Sequence, residues 1–231
     1  MEKFSILLIL LSVFLSSPYG MLNAQRSTNK TYIERDSPRW KQFYLDGKPE
    51  RKADVWYLPF DVKNRESIKG ISLVSKFGDH RDTYLKNHIH TAIDVIPGGR
   101  FSPVYVYPMA NGVVCSIHLG DPHRTIVIKH QLPNNTVVYT SYKHLAEIFV
   151  NTGMQVDPKT KLARLYTKEE AKKQHGNFDH LHLEIRKSFT DFGCASWLTF
   201  TDEELNHYFY NPIQFLKEHL VVLKSKNIKK K

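Results

Sequence analysis

Short runs of β-branched and aromatic residues dominate the middle of the chain, at 104–107, 112–117, 125–130 and 136–142. Each is short enough for a strand and rich in residues that suit a pleated, half-buried surface. Turn clusters punctuate them: Pro108 to Gly112, Gly120-Asp121-Pro122, and Leu132 to Asn135. A further alternating stretch covers 181–185. Strands at this spacing, without long helices between them, predict an antiparallel sheet rather than alternating βαβ units. Two helical signals follow. Thr167-Lys168-Glu169-Glu170 has the spacing of a capping box, with Gly176 as the stop. The second spans about 202–220 and is divided by Pro212. The expected fold is mainly β, with an N-terminal arm and a C-terminal helix.

The ends of the chain read differently. Lys3 precedes an apolar run from Ile6 to Leu15, followed by Ser16, Ser17, Pro18, Gly20 and then Ala24 before Gln25. That run is far shorter than the ~20 residues of a membrane span, and its order is that of a secretory signal peptide cut after Ala24. From 25 to 58 the sequence is polar with scattered aromatics. Asp46-Gly47 signals a hairpin turn there. The expected organisation is a signal peptide at 1–24, an arm or pro-segment at 25–58, a main domain at 59–190 and an extension at 191–231.

Composition narrows the partners. The 231 residues carry 33 Lys+Arg against 23 Asp+Glu, a formal charge of +10. Five of the last eight residues are lysine, so half of that excess sits in the tail. A basic surface favours anionic partners. Two cysteines, Cys115 and Cys194, cannot make a disulfide-dense scaffold or a four-cysteine metal site. Export leaves their pairing open.

The residues that carry chemistry are His90, Asp94, His144, His180 and His182. On a strand, even separations share a face, so His90 and Asp94 would point together, as would His180 and His182. Two strands could therefore aim imidazoles and a carboxylate at one point, the donor set that zinc accepts. His88 lies two residues before His90 and would take its place if the register slipped. Asp179 places a second carboxylate beside His180.

In this order and context the segment from about 59 to 216 resembles the lysostaphin-type (LytM-like) zinc metalloendopeptidases. The resemblance rests on Ser75-Lys76-Phe77-Gly78-Asp79-His80-Arg81, His90-Thr91-Ala92-Ile93-Asp94-Val95, Tyr142-Lys143-His144-Leu145, His180-Leu181-His182-Leu183-Glu184-Ile185 and Asn211-Pro212. It implies an antiparallel sheet flooring an open groove, with one Zn2+ per chain held by His90, Asp94 and His182. It makes His144 and His180 the groups that assist the attacking water, and Tyr84 a hydrogen-bond donor to the oxyanion. The implied substrates are peptidoglycan peptides, reached outside the cytoplasm, with anionic wall polymers as further partners and no nucleic acid. A non-catalytic wall-binding regulator is the alternative. Two departures stand out: Thr91-Ala92 replaces a basic residue and glycine, and a charged helix replaces the Gly-rich approach to His180. The arm at 25–58 is also long enough to cross the groove and offer an Asn or Asp as a fourth ligand.

Overall fold

The structure, a computed structural model, describes residues 31–34, 41–82, 86–99, 102–189 and 199–220. The signal segment, Tyr84 and Cys194 lie outside the described residues. In chain order the first strands are β1 (Thr31–Glu34), β2 (Lys41–Tyr44), β3 (Ile71–Ser75), β4 (His80–Arg81), β5 (His88–Ile89) and β6 (Ile93–Pro97). The central ones follow as β7 (Tyr105–Val106), β8 (Gly112–His118), β9 (Thr125–Gln131), β10 (Val137–Lys143) and β11 (Leu145–Ile148). After β12 (Gln155–Val156) and β13 (Ala163–Leu165) comes α1 (Lys168–Lys173), and then β14 (Leu181–Arg186). The chain continues through α2 (Asp202–Tyr208), β15 (Phe209–Tyr210) and α3 (Pro212–His219).

The main sheet is antiparallel, with its path running β1-β2-β8-β9-β10-β14-β6-β3. A smaller sheet, β11-β13-β7, packs beside it. The fold is mainly β with short helices, as the strand-length runs predict. Thr167 caps α1 through the reciprocal bonds of a capping box with Glu170. Pro212 does divide the C-terminal helix: it sits at the start of α3, where its missing N–H costs nothing.

One face of the sheet is the core. Ile93, Val95, Leu181, Leu183, Ile185, Tyr142 and Ile126 point into it and are fully buried. The arm contributes to this core, since Ala53, Trp56 and Leu58 lie inside it. The Trp56 indole donates to the Ala53 carbonyl at 3.1 Å and packs edge-on against Phe215 of α3 at 4.8 Å. The side of the sheet opposite this core is polar along β14, where it carries His182, Glu184 and Arg186, alternate residues of that strand. Ser141 and Lys143 lie beside them on β10, where Ser141 pairs with Glu184 and Lys143 with His182.

Two expectations for the arm change. Asp46-Gly47 makes no hairpin; β2 pairs with β1 on one side and with β8 on the other. Gly47 is needed instead for close approach, because a Cβ there would meet Val113 at 2.8 Å. Nor does the described part of the arm cross the site: β8, β9 and β10 stand between β2 and β14. Cys115 is buried, with its Sγ 3.4 Å from the Val127 carbonyl.

His130 shows how the interior treats a histidine. It is fully buried, its Nδ1–H donating to the Asn111 carbonyl at 2.8 Å and its Nε2 accepting from Thr140 Oγ1 at 2.8 Å. Burial pushes it down to about 4, so the neutral ring is the folded form. An unfolded histidine takes its proton near pH 6.5. Between these values the unfolded chain binds more protons, so stability falls as pH drops from about 6.5 towards 4. This residue alone contributes a slope of up to about 1.4 kcal/mol per pH unit. Urea unfolding of metal-free protein at pH 7, 6 and 5 should show the decline, and His130→Gln should reduce its slope. An unchanged slope in the variant would contradict the assignment.

Candidate metal centre

Three side chains from two segments meet above β14. Asp94 stands on β6 directly opposite His182 on β14, so the ladder itself sets that pair. His90 is not on the same strand as Asp94. The chain leaves β5 at Ile89 and re-enters a strand only at Ile93, so shared-face alternation does not place it. Instead the backbone of His90 bonds the loop after β3, with its N–H donating to Asp79 and its carbonyl accepting from Gly78. His88 pairs with Arg81 in the β4–β5 ribbon, leaving His90 as the residue that reaches Asp94.

The three facing atoms form a near-equilateral triangle. His90 Nε2 lies 3.1 Å from His182 Nδ1 and 3.2 Å from Asp94 Oδ1, and His182 Nδ1 lies 3.1 Å from Asp94 Oδ1. All three residues are buried. A tetrahedral ion with bonds near 2.0–2.1 Å has ligand–ligand edges of about 3.3 Å, so the triangle matches one face of such a site.

Proton positions strengthen the fit. His90 Nδ1 is 2.7 Å from the Lys76 carbonyl, which can only accept, so the proton sits on Nδ1 and the Nε2 lone pair faces inward. His182 Nε2 is 3.2 Å from Glu184 Oε1, which draws its proton outward and turns the Nδ1 lone pair inward. Asp94 presents Oδ1 inward because Oδ2 accepts from Arg81 Nη2 at 2.5 Å, and that same nitrogen reaches Ser75 Oγ at 2.7 Å. Three lone pairs thus converge with no proton assigned between them. The occupant that such a set suits is a cation. The family resemblance names all three residues, and alternation accounts for the facing of Asp94 and His182 but not of His90. Their outer partners Lys76, Arg81 and Glu184 were not singled out for any role.

His144 and His180 stand beside the triangle. His144 joins β10 to β11 with φ of 69°, in the left-handed region that few residues with a Cβ adopt. Strict alternation would put it on the side of Tyr142, in the core; this backbone turn swings it to the polar side. There its ring centre lies 5.0 Å from that of His180 and 5.8 Å from that of His182. Its Nδ1–H donates to the Pro122 carbonyl at 3.0 Å, which leaves Nε2 as an acceptor. His180 comes just before β14, with Nε2 3.5 Å from Asp94 Oδ1. The carboxylate near His180 is therefore that of Asp94 rather than its neighbour Asp179.

Burial drives most of the electrostatics. It lowers His144 well below the ordinary histidine range, helped by Lys143, His182 and His180. It lowers His90 as well, against the Asp94 carboxylate, whose negative charge favours the protonated ring. Burial would raise Asp94, but contacts from His180, His182 and His90 outweigh it and hold the carboxylate ionised. Lys143, beside His182, falls to about 8 through burial despite the charge of Glu184. Two aromatic rings missed in the sequence complete one wall: Phe178 packs 4.9 Å from His144, and His123 packs 5.5 Å from it.

Residues 88–193 match the sequence profile of peptidase family M23. No curated protein matches the chain. Among solved structures the chain is similar to a zinc-containing peptidase from Vibrio cholerae, at 20% identity and a TM-score of 0.40 over 63% of this chain and 43% of that one. It is similar to lysostaphin in solution at 13% identity and a TM-score of 0.44, covering 65% of this chain and 52% of that one. It is also similar to a chain of the SpoIIIAH–SpoIIQ complex, at 19% identity and a TM-score of 0.40, covering 64% of this chain and 94% of that one. The chain thus spans about half the length of the first two.

Proposed function

We propose, from the premise that residues 88–193 are a peptidase family M23 domain, that this chain is an exported zinc endopeptidase. Its substrates are the stem or bridge peptides of peptidoglycan. The observation that carries the reading is the triangle of inward lone pairs on His90, Asp94 and His182, with two more histidines beside it. These three residues would hold the ion. Bound zinc supplies a water acidified towards neutrality and a Lewis acid for the scissile carbonyl.

The remaining work falls to the chain's own side chains. His144, neutral through burial and with Nε2 turned away from Pro122, takes a proton at that nitrogen and returns it to the leaving amine. His180, with 15% of its side chain exposed at the edge of the triangle, donates a hydrogen bond to the developing oxyanion, with Tyr84 as a second donor. Phe178 and His123 wall off water on the His144 side. The apolar run at 6–15 would direct export, placing the enzyme in a periplasm or outside the cell. No helix among the described residues is long and apolar enough to cross a membrane. The excess of lysine and arginine would hold the protein near anionic wall polymers in a salt-dependent way.

The substrate class is tested by incubating residues 25–231 with purified sacculi and weighing the soluble products. The expected fragments end at a hydrolysed peptide bond, each cleavage leaving a new carboxylate on one product and a new amino group on the other. Fragments released by cleavage between sugars, or binding to sacculi without release of any fragment, would contradict the reading. The second of these outcomes is what a non-catalytic wall-binding regulator would give.

A further inference from the structure

We propose that Glu184, clamped by Thr91 and Arg186, is the positioning residue that keeps the Nδ1 lone pair of His182 turned towards the metal. The inference rests on the zinc reading above. A neutral imidazole has one N–H and one lone pair, and His182 has a carboxylate oxygen near each nitrogen: Asp94 Oδ1 at 3.1 Å from Nδ1 and Glu184 Oε1 at 3.2 Å from Nε2. With the proton on Nδ1, the ring would donate to Asp94, lose its inward lone pair and set its outer lone pair against Glu184. With the proton on Nε2, the ring donates to Glu184 and turns its Nδ1 lone pair inward, where it can bind a cation. Glu184 decides between the two forms.

Its own position is fixed on every side. Glu184 is fully buried. Oε1 also accepts from Thr91 Oγ1 at 2.6 Å, and Oε2 accepts from Arg186 Nε at 2.8 Å and Nη2 at 2.6 Å. Arg186, 1% exposed, reaches Ser141 Oγ at 3.3 Å. His182, Glu184 and Arg186 share one face of β14 by alternation. Thr91 comes from the other ligand-bearing segment, directly after His90. Its hydroxyl therefore ties the two halves of the centre through one carboxylate. This gives a use to the threonine that stands where the resembling family carries a basic residue. A buried Glu–Arg pair is weak evidence for stability, because desolvation offsets its attraction. Holding the outer nitrogen of a metal-binding histidine is a use that carboxylates in such positions serve well.

The test uses the wild type, Glu184→Gln and Thr91→Val. Beside Arg186 a glutamine must turn its oxygen to the guanidinium, so its amide N–H faces His182 Nε2 and favours the proton on Nδ1. Zinc affinity, measured by competition with a chromophoric chelator, should fall about 10–100-fold in Glu184→Gln. Thr91→Val leaves the Glu184–Arg186 pair intact and should give a smaller loss in the same direction. In metal-free protein, the 15N shifts of His182 should report an Nε2–H ring in the wild type and an Nδ1–H ring in Glu184→Gln. Wild-type affinity in both variants, or the same ring form in all three proteins, would overturn the proposal. If Glu184→Gln fails to fold, Thr91→Val decides: wild-type affinity there rejects it. Wild-type protein that binds no zinc would reject the zinc reading itself, and this inference with it.

Discussion

Replacing His144 with asparagine should lower the rate of peptide hydrolysis by about 10²–10⁴-fold while zinc content stays at the wild-type level. The residue lies beside the triangle of His90, Asp94 and His182 without belonging to it. Its ring is 5.8 Å from that of His182, and its Nδ1–H is already given to Pro122. What it offers is one inward acceptor nitrogen, kept neutral at working pH by burial and by the Lys143 charge. A group in that state can accept a proton from an attacking water and pass it on. Asparagine tolerates the left-handed φ of 69° better than other substitutes, so the turn between β10 and β11 should survive. Single-turnover cleavage measured alongside zinc analysis separates the roles. A rate within tenfold of wild type, or zinc lost in step with activity, would contradict the proton-transfer assignment.

Asp94→Asn should remove zinc altogether under ordinary buffer conditions, with hydrolysis lost in parallel. Asp94 supplies the anionic member of the triangle, and its two oxygens face opposite partners: Oδ1 faces the imidazoles and Oδ2 faces Arg81. An asparagine must set its oxygen against the Arg81 guanidinium, which has only N–H groups to offer. Its NH2 would then point at the lone pairs of His90 and His182 and occupy the place of the cation. Losing a partner one step out from a metal costs about 10–100-fold in affinity, and losing the charged ligand itself should exceed that. The check is zinc content after gel filtration, with near-ultraviolet circular dichroism to establish the fold. Stoichiometric zinc in a folded variant would show that the ion is held elsewhere.

Both predictions depend on features that differ in how far the sequence reveals them. The Asp94–His182 pair was legible, because alternation on two strands puts each residue on the polar side and antiparallel pairing sets them face to face. His90 belonged to the same reading for a different reason than expected. It sits in a break between β5 and β6, held by backbone bonds to Gly78 and Asp79 that no short pattern predicts. His144 defeats alternation outright. Lys143 and His144 both face the polar side because the backbone turns at His144, and a positive φ on a histidine has no sequence signature. Glu184 was within reach, two residues from His182 on the same strand, whereas Thr91 and Arg81 gain meaning only from contacts across the fold. At the level of the fold, strand-length runs and turn residues located the sheet and the helices. The path of the arm was misread because Asp-Gly reports only a local turn preference, whereas the glycine at 47 answers a close approach to Val113 from across the fold. The burial of Trp56 beneath α3 likewise needs the whole core to be seen.

The most direct test strips the metal from the purified protein with a chelator, removes the chelator, and follows cleavage of peptidoglycan peptides as zinc is returned stepwise. The metal-free protein should give no cleavage, and cleavage should recover in proportion to added zinc, complete at one ion per chain. Cleavage of the same bond at an undiminished rate without zinc would contradict it.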